Sequence, residues 1–168
     1  ASICADTFYI EDDTRLGNHP YHMGGMFYLQ EPSAAGAVEI LDVKEHDWVL
    51  DLCAAPGGKS TQIAAKLRNT GFLLSNEIDS GRAMTLLSNL ERMGVSENMV
   101  TCADPRVLCE QLKGCFDKVL IDAPCSGEGM FKKHARAMEE WSEAHVQACA
   151  KRHLHILESR CACVQSGG

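Results

Sequence analysis

The chain alternates four times between short apolar runs typical of β-strands and segments whose apolar residues recur at helical spacing. The strand-like runs cover residues 47–52, 72–76, 99–102 and 118–122, and the last is apolar on both faces. Strands of that kind belong to parallel sheets covered by helices on each side. The alternation predicts an α/β fold with a doubly wound, mostly parallel sheet. A ligand then binds beyond the carboxyl ends of the strands where the strand order reverses, here between the first and fourth strands.

The helical segments between these runs are short, except for the last. We expect helices over 34–41, around 61–68, from Asp79 to Gly94 and over 105–112. A long final helix begins after Ser142, and its predicted core stripe is Val146, Ala150, Leu154, Leu157, Cys161 and Val164. Such a helix usually leads into another strand. We therefore expect a fold truncated before its last strands, with an unpaired edge on the fourth strand.

The length of 168 residues favours a single core. Residues 1–25 carry turn signals without a sustained period and are predicted to be an N-terminal adaptor segment; residues 26–168 are predicted to form the domain, incomplete at its carboxyl end. No apolar run approaches the ~18 residues of a membrane span and no signal peptide is visible, so we expect a soluble protein without a membrane partner. Nine cysteines without a Cys-x-x-Cys pair favour a reducing cytoplasm and no metal site.

The net charge of −7 belongs to the N-terminal part of the chain. Residues 1–50 hold 2 Lys and Arg against 9 Asp and Glu, whereas residues 51–168 hold 14 of each. A domain without net positive charge has no general electrostatic attraction for phosphate. If nucleic acid is a partner, a local basic patch or a further piece of chain must supply the contacts.

The segment Asp51–Ser60 follows the first strand and opens a helix. Its small residues and two glycines allow close approach of a ligand to the backbone, and the helix N-terminus offers N–H groups to a carboxylate or phosphate. A plain tight turn is the simplest alternative. A P-loop is another, because Cys53-x4-Gly58-Lys59-Ser60 matches that motif except at its first glycine.

Acidic residues follow the second and third strands. Glu77 lies 19 residues after Gly58, where nucleoside-binding α/β folds place the carboxylate that accepts from ribose hydroxyls. It could instead be a helix N-terminal acid stabilised by the helix dipole. Asp104 suits either a position beside an adenine amino group or the cap of the helix entered at Pro105.

The fourth strand leads into Asp122–Gly129, in which Asp122 and Cys125 lie three residues apart around Pro124. A carboxylate and a thiol at the mouth of the crevice suit an acid/base and nucleophile pair acting on a bound base. The basic cluster Phe131–Arg136 is either a solvated face or a phosphate-contacting loop.

These phrases resemble the RNA cytosine-C5 methyltransferases. The resemblance is carried by Tyr28–Ser33, by Asp51–Lys59, by Asn76 and Glu77, and by Asp122–Gly127. The extension Glu128–Lys133 looks most like the RsmF-like bacterial branch that acts on 16S ribosomal RNA.

The resemblance implies a Rossmann-like class I methyltransferase that uses S-adenosylmethionine and acts on RNA, with ribosomal RNA as the expected substrate. It implies that Cys125, Asp122 and Lys59 are catalytic. The implied cofactor-binding residues are Cys53, Ala54, Ala55, Pro56, Gly57, Gly58, Lys59, Glu77, Asp104 and Asp122. Relatives usually carry Asp-Pro where this sequence has His134-Ala135-Arg136, a departure in the loop after the fourth strand.

In this family a cysteine thiolate adds to carbon 6 of cytosine, carbon 5 accepts the methyl group, and the carbon-5 proton and the thiolate then leave. The nucleophile is usually a second cysteine in a Thr-Cys motif just past the final helix, and the cysteine matching Cys125 assists breakdown of the adduct. That second cysteine is expected beyond Gly168, so this chain is expected to be inactive by itself. A P-loop nucleotide hydrolase and a non-catalytic cofactor-binding module are the alternatives.

Overall fold

Four parallel strands form one sheet in the order β3-β2-β1-β4. This architecture comes from a computed structural model, which describes residues 7–10, 15–123, 142–160 and 163–164. The strands are β1 (Trp48–Asp51), β2 (Phe72–Asn76), β3 (Asn98–Thr101) and β4 (Lys118–Leu120). The chain adds β2 and β3 on one side of β1 and then returns to place β4 on the other. The predicted doubly wound sheet is confirmed, with its strand order reversing between β1 and β4.

Helices flank the sheet and connect its strands. They are α1 (Pro20–Met23), α2 (Pro32–Leu41), α3 (Gly58–Leu67), α4 (Ser80–Arg92), α5 (Pro105–Gln111) and α6 (Glu143–Arg160), and a 3-10 turn covers Leu16–Asn18. The turn and α1 were not predicted, because neither is long enough to show a period. The other helices match the predicted segments to within a few residues.

Both faces of the central strands are buried, as a parallel sheet between two helical layers requires. On one face Val49 and Leu73 pack with residues of α2 and α3, including Val38 and Ile63. On the other face the core is formed with α5 and α6 by Leu50, Leu52, Leu74, Leu108, Phe116 and Ile156. Helix α4 also meets the core, since its Ala83, Leu86 and Leu90 are buried.

The predicted core stripe of α6 is wrong. Leu154 and Leu157 are 59% and 39% exposed, Ala150 is exposed and Val146 is half-buried, whereas Cys149 and Ile156 are buried. The buried face is rotated by roughly a quarter turn from the predicted one. Apolar residues occur around much of this helix, so spacing alone did not identify the face that meets the core; Cys161 lies outside the described residues.

The outer edge of β4 is approached by the chain that follows α6. Val164 forms a parallel bridge with Phe116, and the Phe116 N–H donates to the Cys163 carbonyl over 3.2 Å. The expected unpaired edge of the fourth strand is thus paired at one point, at Phe116 just before β4, where Val164 forms a parallel bridge.

The buried side chain of Asn76 joins the carboxyl ends of three strands. Its Nδ2 donates to the carbonyls of Leu52 (3.2 Å) and Ala103 (3.0 Å). Its Oδ1 accepts from the Thr101 hydroxyl (2.9 Å) and the Ala103 N–H (3.1 Å). Both donors and both acceptor positions of the amide are used, and no part of this fully buried side chain is left unpaired.

We expect Asn76→Asp to lower the free energy of unfolding by roughly 3 kcal/mol or more. A carboxylate cannot donate to the carbonyls of Leu52 and Ala103, and its charge would be buried. Urea unfolding followed by circular dichroism measures the change. The matched control is Asn18→Asp in the exposed 3-10 turn, for which a change within about 0.5 kcal/mol is expected. Equal losses for the two variants would contradict this role of Asn76.

Candidate functional site

The loop between β1 and α3 is shaped around two glycines. Gly57 is the N-terminal boundary residue of α3 and has a φ of 114°, a region that side chains disfavour. A Cβ at Gly57 would lie 3.2 Å from Leu86 Cδ1, and one at Gly58 would lie 2.8 Å from Gln30 Oε1. Packing against Leu86 and Gln30 thus requires small residues in this loop, and the predicted close approach of a ligand to its backbone stays a prediction.

Helix α4 anchors the loop from the side. Arg82 donates to the Ala55 carbonyl over 3.1 Å, and Asn89 Nδ2 donates to the Pro56 carbonyl over 2.8 Å. Neither residue was predicted from the sequence. Their spacing of seven, with the buried Leu86 between them, puts them on the same side of the helix and was the available signal.

Lys59 and Asp122 bring the two predicted loops together. Lys59 Nζ lies 2.6 Å from Asp122 Oδ2, with side-chain exposures of 19% and 60%. This contact spans the carboxyl ends of β1 and β4, where the strand order reverses. The pair places a hydrogen-bond donor and an acceptor side by side at the edge of the cleft.

Asp51 and Ser60 form a buried pair behind this contact. The Ser60 hydroxyl donates to Asp51 Oδ2 over 2.7 Å, and both residues are almost wholly buried. Burial raises the pKa of Asp51 to about 6, and the Ser60 hydrogen bond and the nearby Lys59 charge partly oppose that rise. A P-loop needs its Lys and Ser directed at phosphate and magnesium, whereas here Lys59 pairs with Asp122 and Ser60 is buried against Asp51. The structure does not favour the P-loop alternative.

Glu77 follows β2 and its carboxylate is only 3% exposed. Oε1 accepts from the Asp79 N–H over 3.1 Å, and Oε2 lies 3.4 Å from an Arg82 guanidinium nitrogen. Asp79 is the cap of α4, since it accepts from the Arg82 N–H, and the Glu77 carboxylate lies beside the same helix end. Its role toward ribose hydroxyls and its role as a helix N-terminal acid both stay predictions.

Asp104 caps α5, which was one of its two predicted roles. Its Oδ1 accepts from the Arg106 N–H over 2.8 Å, and Oδ2 accepts from the Arg106 guanidinium over 3.2 Å. These hydrogen bonds lower the pKa of Asp104. Its placement beside an adenine amino group stays a prediction.

A cleft of about 200 Å³ opens between the first loop and the segment before α2. Its lining includes Tyr28, Gln30, Asp51, Cys53 and the Lys59–Asp122 pair. Burial, reinforced by the neighbouring Asp51 charge, raises the pKa of the Cys53 thiol to about 12, so this thiol stays protonated at neutral pH and is no nucleophile.

The amide of Gln30 is held in one orientation by a short relay. Gln62 Nε2 donates to the Ala35 carbonyl over 3.1 Å, which turns Gln62 Oε1 toward Gln30. Gln30 Nε2 donates to that oxygen over 3.2 Å. Gln30 Oε1 is therefore directed toward Gly58 and the first loop, and this relay was not found from the sequence.

Some predicted features lie outside the described residues. Cys125 and the basic cluster 131–136 are among them, so their roles stay predictions. Within the described ranges, no three His, Cys, Asp or Glu side chains are grouped as a metal site would require. In the same part of the chain, no helix is both long and apolar enough to span a membrane.

The buried Asp51 predicts a specific pH dependence. Because its pKa is raised to about 6, the folded state binds a proton more tightly than the unfolded chain, and this contribution to stability is lost as the pH rises through about 6. The free energy of unfolding of Asp51→Asn, relative to the unsubstituted protein, should rise by about 2 kcal/mol between about pH 4.5 and 7.5. Urea titrations across that range measure it.

Asp42→Asn is the control for this pH series. Its hydrogen bond with Lys44 lowers the pKa of the exposed Asp42, so Asp42 titrates below this pH range and the same comparison should stay nearly flat across it. A flat difference for Asp51→Asn would show that Asp51 does not carry the raised pKa.

Comparison with known proteins finds methyltransferase relatives that match nearly the whole chain. The model of the 16S rRNA methyltransferase RsmB/F family matches residues 38–168. "Ribosomal RNA small subunit methyltransferase F" of Shewanella sediminis is 42% identical over 172 residues, covering 98% of this chain and 36% of the relative. The protein of the same name from Vibrio parahaemolyticus is 42% identical over 170 residues, with the same coverage. The chain thus spans about a third of the length of the curated relatives it matches.

Solved structures agree with these relatives. The structure of NSun6 from Pyrococcus horikoshii with SFG superposes with a TM-score of 0.82 at 29% identity, covering 92% of this chain and 39% of that one. The crystal structure of PH0851 superposes with a TM-score of 0.88 at 30% identity, covering 94% and 36%. Since the family model matches well over half of this sequence, and relatives above 40% identity cover nearly all of it, the chain belongs to the 16S rRNA methyltransferase RsmB/F family.

Proposed function

We propose that this protein uses S-adenosylmethionine to methylate carbon 5 of cytosine in RNA of the small ribosomal subunit. Family membership supports the proposal, as do relatives named for ribosomal RNA methylation and a solved relative that holds SFG, an analogue of S-adenosylmethionine. Ribosomal RNA as substrate supports a cytoplasmic location.

One contrast among the helix N-termini carries the proposal. Among the helices that follow β1, β2 and β3, Asp79 and Asp104 cap α4 and α5, whereas α3 begins at the glycine pair without a side-chain cap among the described residues. The first N–H groups of α3 therefore suit the carboxylate of a ligand. The buried Glu77 carboxylate lies at the end of the neighbouring strand, where it suits hydroxyl donors.

The residues present fit an adenosyl-amino-acid cofactor. A Cβ at Gly57 or Gly58 would press on Leu86 or Gln30, so the two glycines let the loop backbone keep the position in which it would meet a ligand. Glu77 would accept from the ribose hydroxyls, and the open start of α3 would receive the cofactor's carboxylate. Asp104 would lie near the adenine. When bound, S-adenosylmethionine supplies an electrophilic methyl group.

The Lys59–Asp122 pair suits the edge of the target base. Asp122, the more exposed partner, can accept from a base N–H, and the Lys59 ammonium can donate to a neighbouring ring nitrogen or carbonyl oxygen. Donation from Lys59 draws electron density from the pyrimidine ring and favours addition of a thiolate at carbon 6, and acceptance by Asp122 orients the base. We assign this base-orienting role to both residues and assign Cys125 to the breakdown of the thiolate adduct.

Calorimetric titration of this chain with S-adenosylmethionine tests the cofactor pocket. Binding is expected, and magnesium-ATP should not bind. Glu77→Ala should weaken S-adenosylmethionine binding by about 1–3 kcal/mol through loss of a charged acceptor. Glu110→Ala on the exposed side of α5 is the matched control and should bind as the unsubstituted chain does. Binding of magnesium-ATP alone would overturn the proposal.

The RNA reaction is tested in a full-length protein that contains this chain. Incubation with S-adenosylmethionine and small-subunit ribosomal RNA should produce 5-methylcytidine, measured by mass spectrometry of the digested nucleosides. Cys125→Ala should cause a covalent protein–RNA adduct to accumulate on a denaturing gel, because breakdown is impaired. Loss of the adduct would instead make Cys125 the nucleophile.

A further inference from the structure

Arg82 contacts both halves of the proposed cofactor pocket. It lies in the first turn of α4, and its side chain is about half exposed. One guanidinium nitrogen lies 3.4 Å from Glu77 Oε2 and 3.1 Å from the Ala55 carbonyl. The same group thus touches the acid after β2 and the loop after β1.

Glu77 requires a partner of this kind. A buried carboxylate is costly unless it is paired with a cation or well hydrogen-bonded. Among the described residues, Arg82 is the cation in ion-pair contact with Glu77, and the Asp79 N–H is the other donor. The two donors approach different oxygens of the carboxylate, which fixes the plane of the group.

The remaining capacity of Glu77 matches two adjacent hydroxyls. Each carboxylate oxygen has two acceptor positions, and one on each is taken by Arg82 or by the Asp79 N–H. One position on each oxygen stays available. A carboxylate held in this way can accept from both hydroxyls of a vicinal diol, whereas a freely rotating one pays rotamer entropy to do so.

Arg82 differs from Asn89, the other α4 residue that holds the loop, in its contact with Glu77. Asn89 holds the carbonyl of Pro56, the next residue of the loop, and is not among the hydrogen-bond or ion-pair partners found for Glu77 in the described part of the chain. Arg82 therefore sets the position of the carboxylate relative to the loop, whereas Asn89 holds the loop and accepts from Arg92.

We propose that Arg82 is a positioning residue that holds the Glu77 carboxylate in register with the Cys53–Lys59 loop, so that it receives both ribose hydroxyls of the cofactor. This inference rests on the proposed function. Arg82 acts through Glu77 and need not touch the cofactor.

Calorimetry with S-adenosylhomocysteine and with its 2′-deoxy analogue separates positioning from general support of the fold. Arg82→Met keeps the length of the side chain but removes its charge and donors. Arg82→Met should weaken S-adenosylhomocysteine binding roughly 10- to 100-fold. The unsubstituted chain should bind the 2′-deoxy analogue more weakly than S-adenosylhomocysteine, and Arg82→Met should weaken binding of that analogue by less than about threefold. Arg82→Lys should recover part of the loss. Asn89→Ala, the matched control, should weaken both ligands by the same factor.

A double-mutant cycle completes the test. Glu77→Gln combined with Arg82→Met should cost little more than either change alone, since both remove one interaction. Additive losses, equal losses for the two ligands, or unchanged affinity in Arg82→Met would each overturn the role of Arg82. Circular dichroism checks that each variant is folded. If Arg82→Met is unfolded, the affinity losses of Arg82→Lys for the two ligands are compared instead. If the unsubstituted chain fails to bind S-adenosylhomocysteine at all, the proposed function fails and this inference falls with it.

Discussion

The fourfold hydrogen bonding of the Asn76 amide is the constraint on which the rest of the site depends. Backbone hydrogen bonding between neighbouring strands stops where the strands end. Here the Asn76 side chain supplies hydrogen bonds that join the carboxyl ends of β1, β2 and β3. The next residue, Glu77, inherits that order, because its backbone N–H continues the bonding to the Thr101 carbonyl. The Glu77 backbone and the start of the first loop are therefore held in place by hydrogen bonds within the protein, without a ligand.

The sequence predicted the sheet, its point of strand reversal and the pairing of the two loops, because apolar periodicity and parallel topology dictate them together. It did not predict the interactions that hold the loops. Arg82, Asn89 and Gln62 are ordinary polar residues on helices, and only the packing of those helices shows that they reach a loop carbonyl or another amide. The buried face of α6 was predicted wrongly for a related reason. That helix carries apolar residues on several sides, and packing against the other elements determines which side is buried.

The electrostatics of the cleft explains why so many acids coexist near β1. Asp51, Glu77 and Asp122 all follow strands whose carboxyl ends point the same way, and each has a different compensating group: the Ser60 hydroxyl, the Arg82 guanidinium and the Lys59 ammonium. Asp51 has no cation of its own and, being buried, holds its proton more tightly. The two acids with cationic partners are the ones assigned to ligands.

The anchoring of Pro56 fixes the polarity of the loop. In a trans peptide the carbonyl and the N–H point in opposite directions. Since the Pro56 carbonyl is directed at Asn89 on α4, the N–H of Gly57 must face away from that helix. Proline has no N–H, so the preceding peptide contributes no donor of its own. The Asn89 side chain thereby decides the direction in which this stretch of backbone can bind an anion.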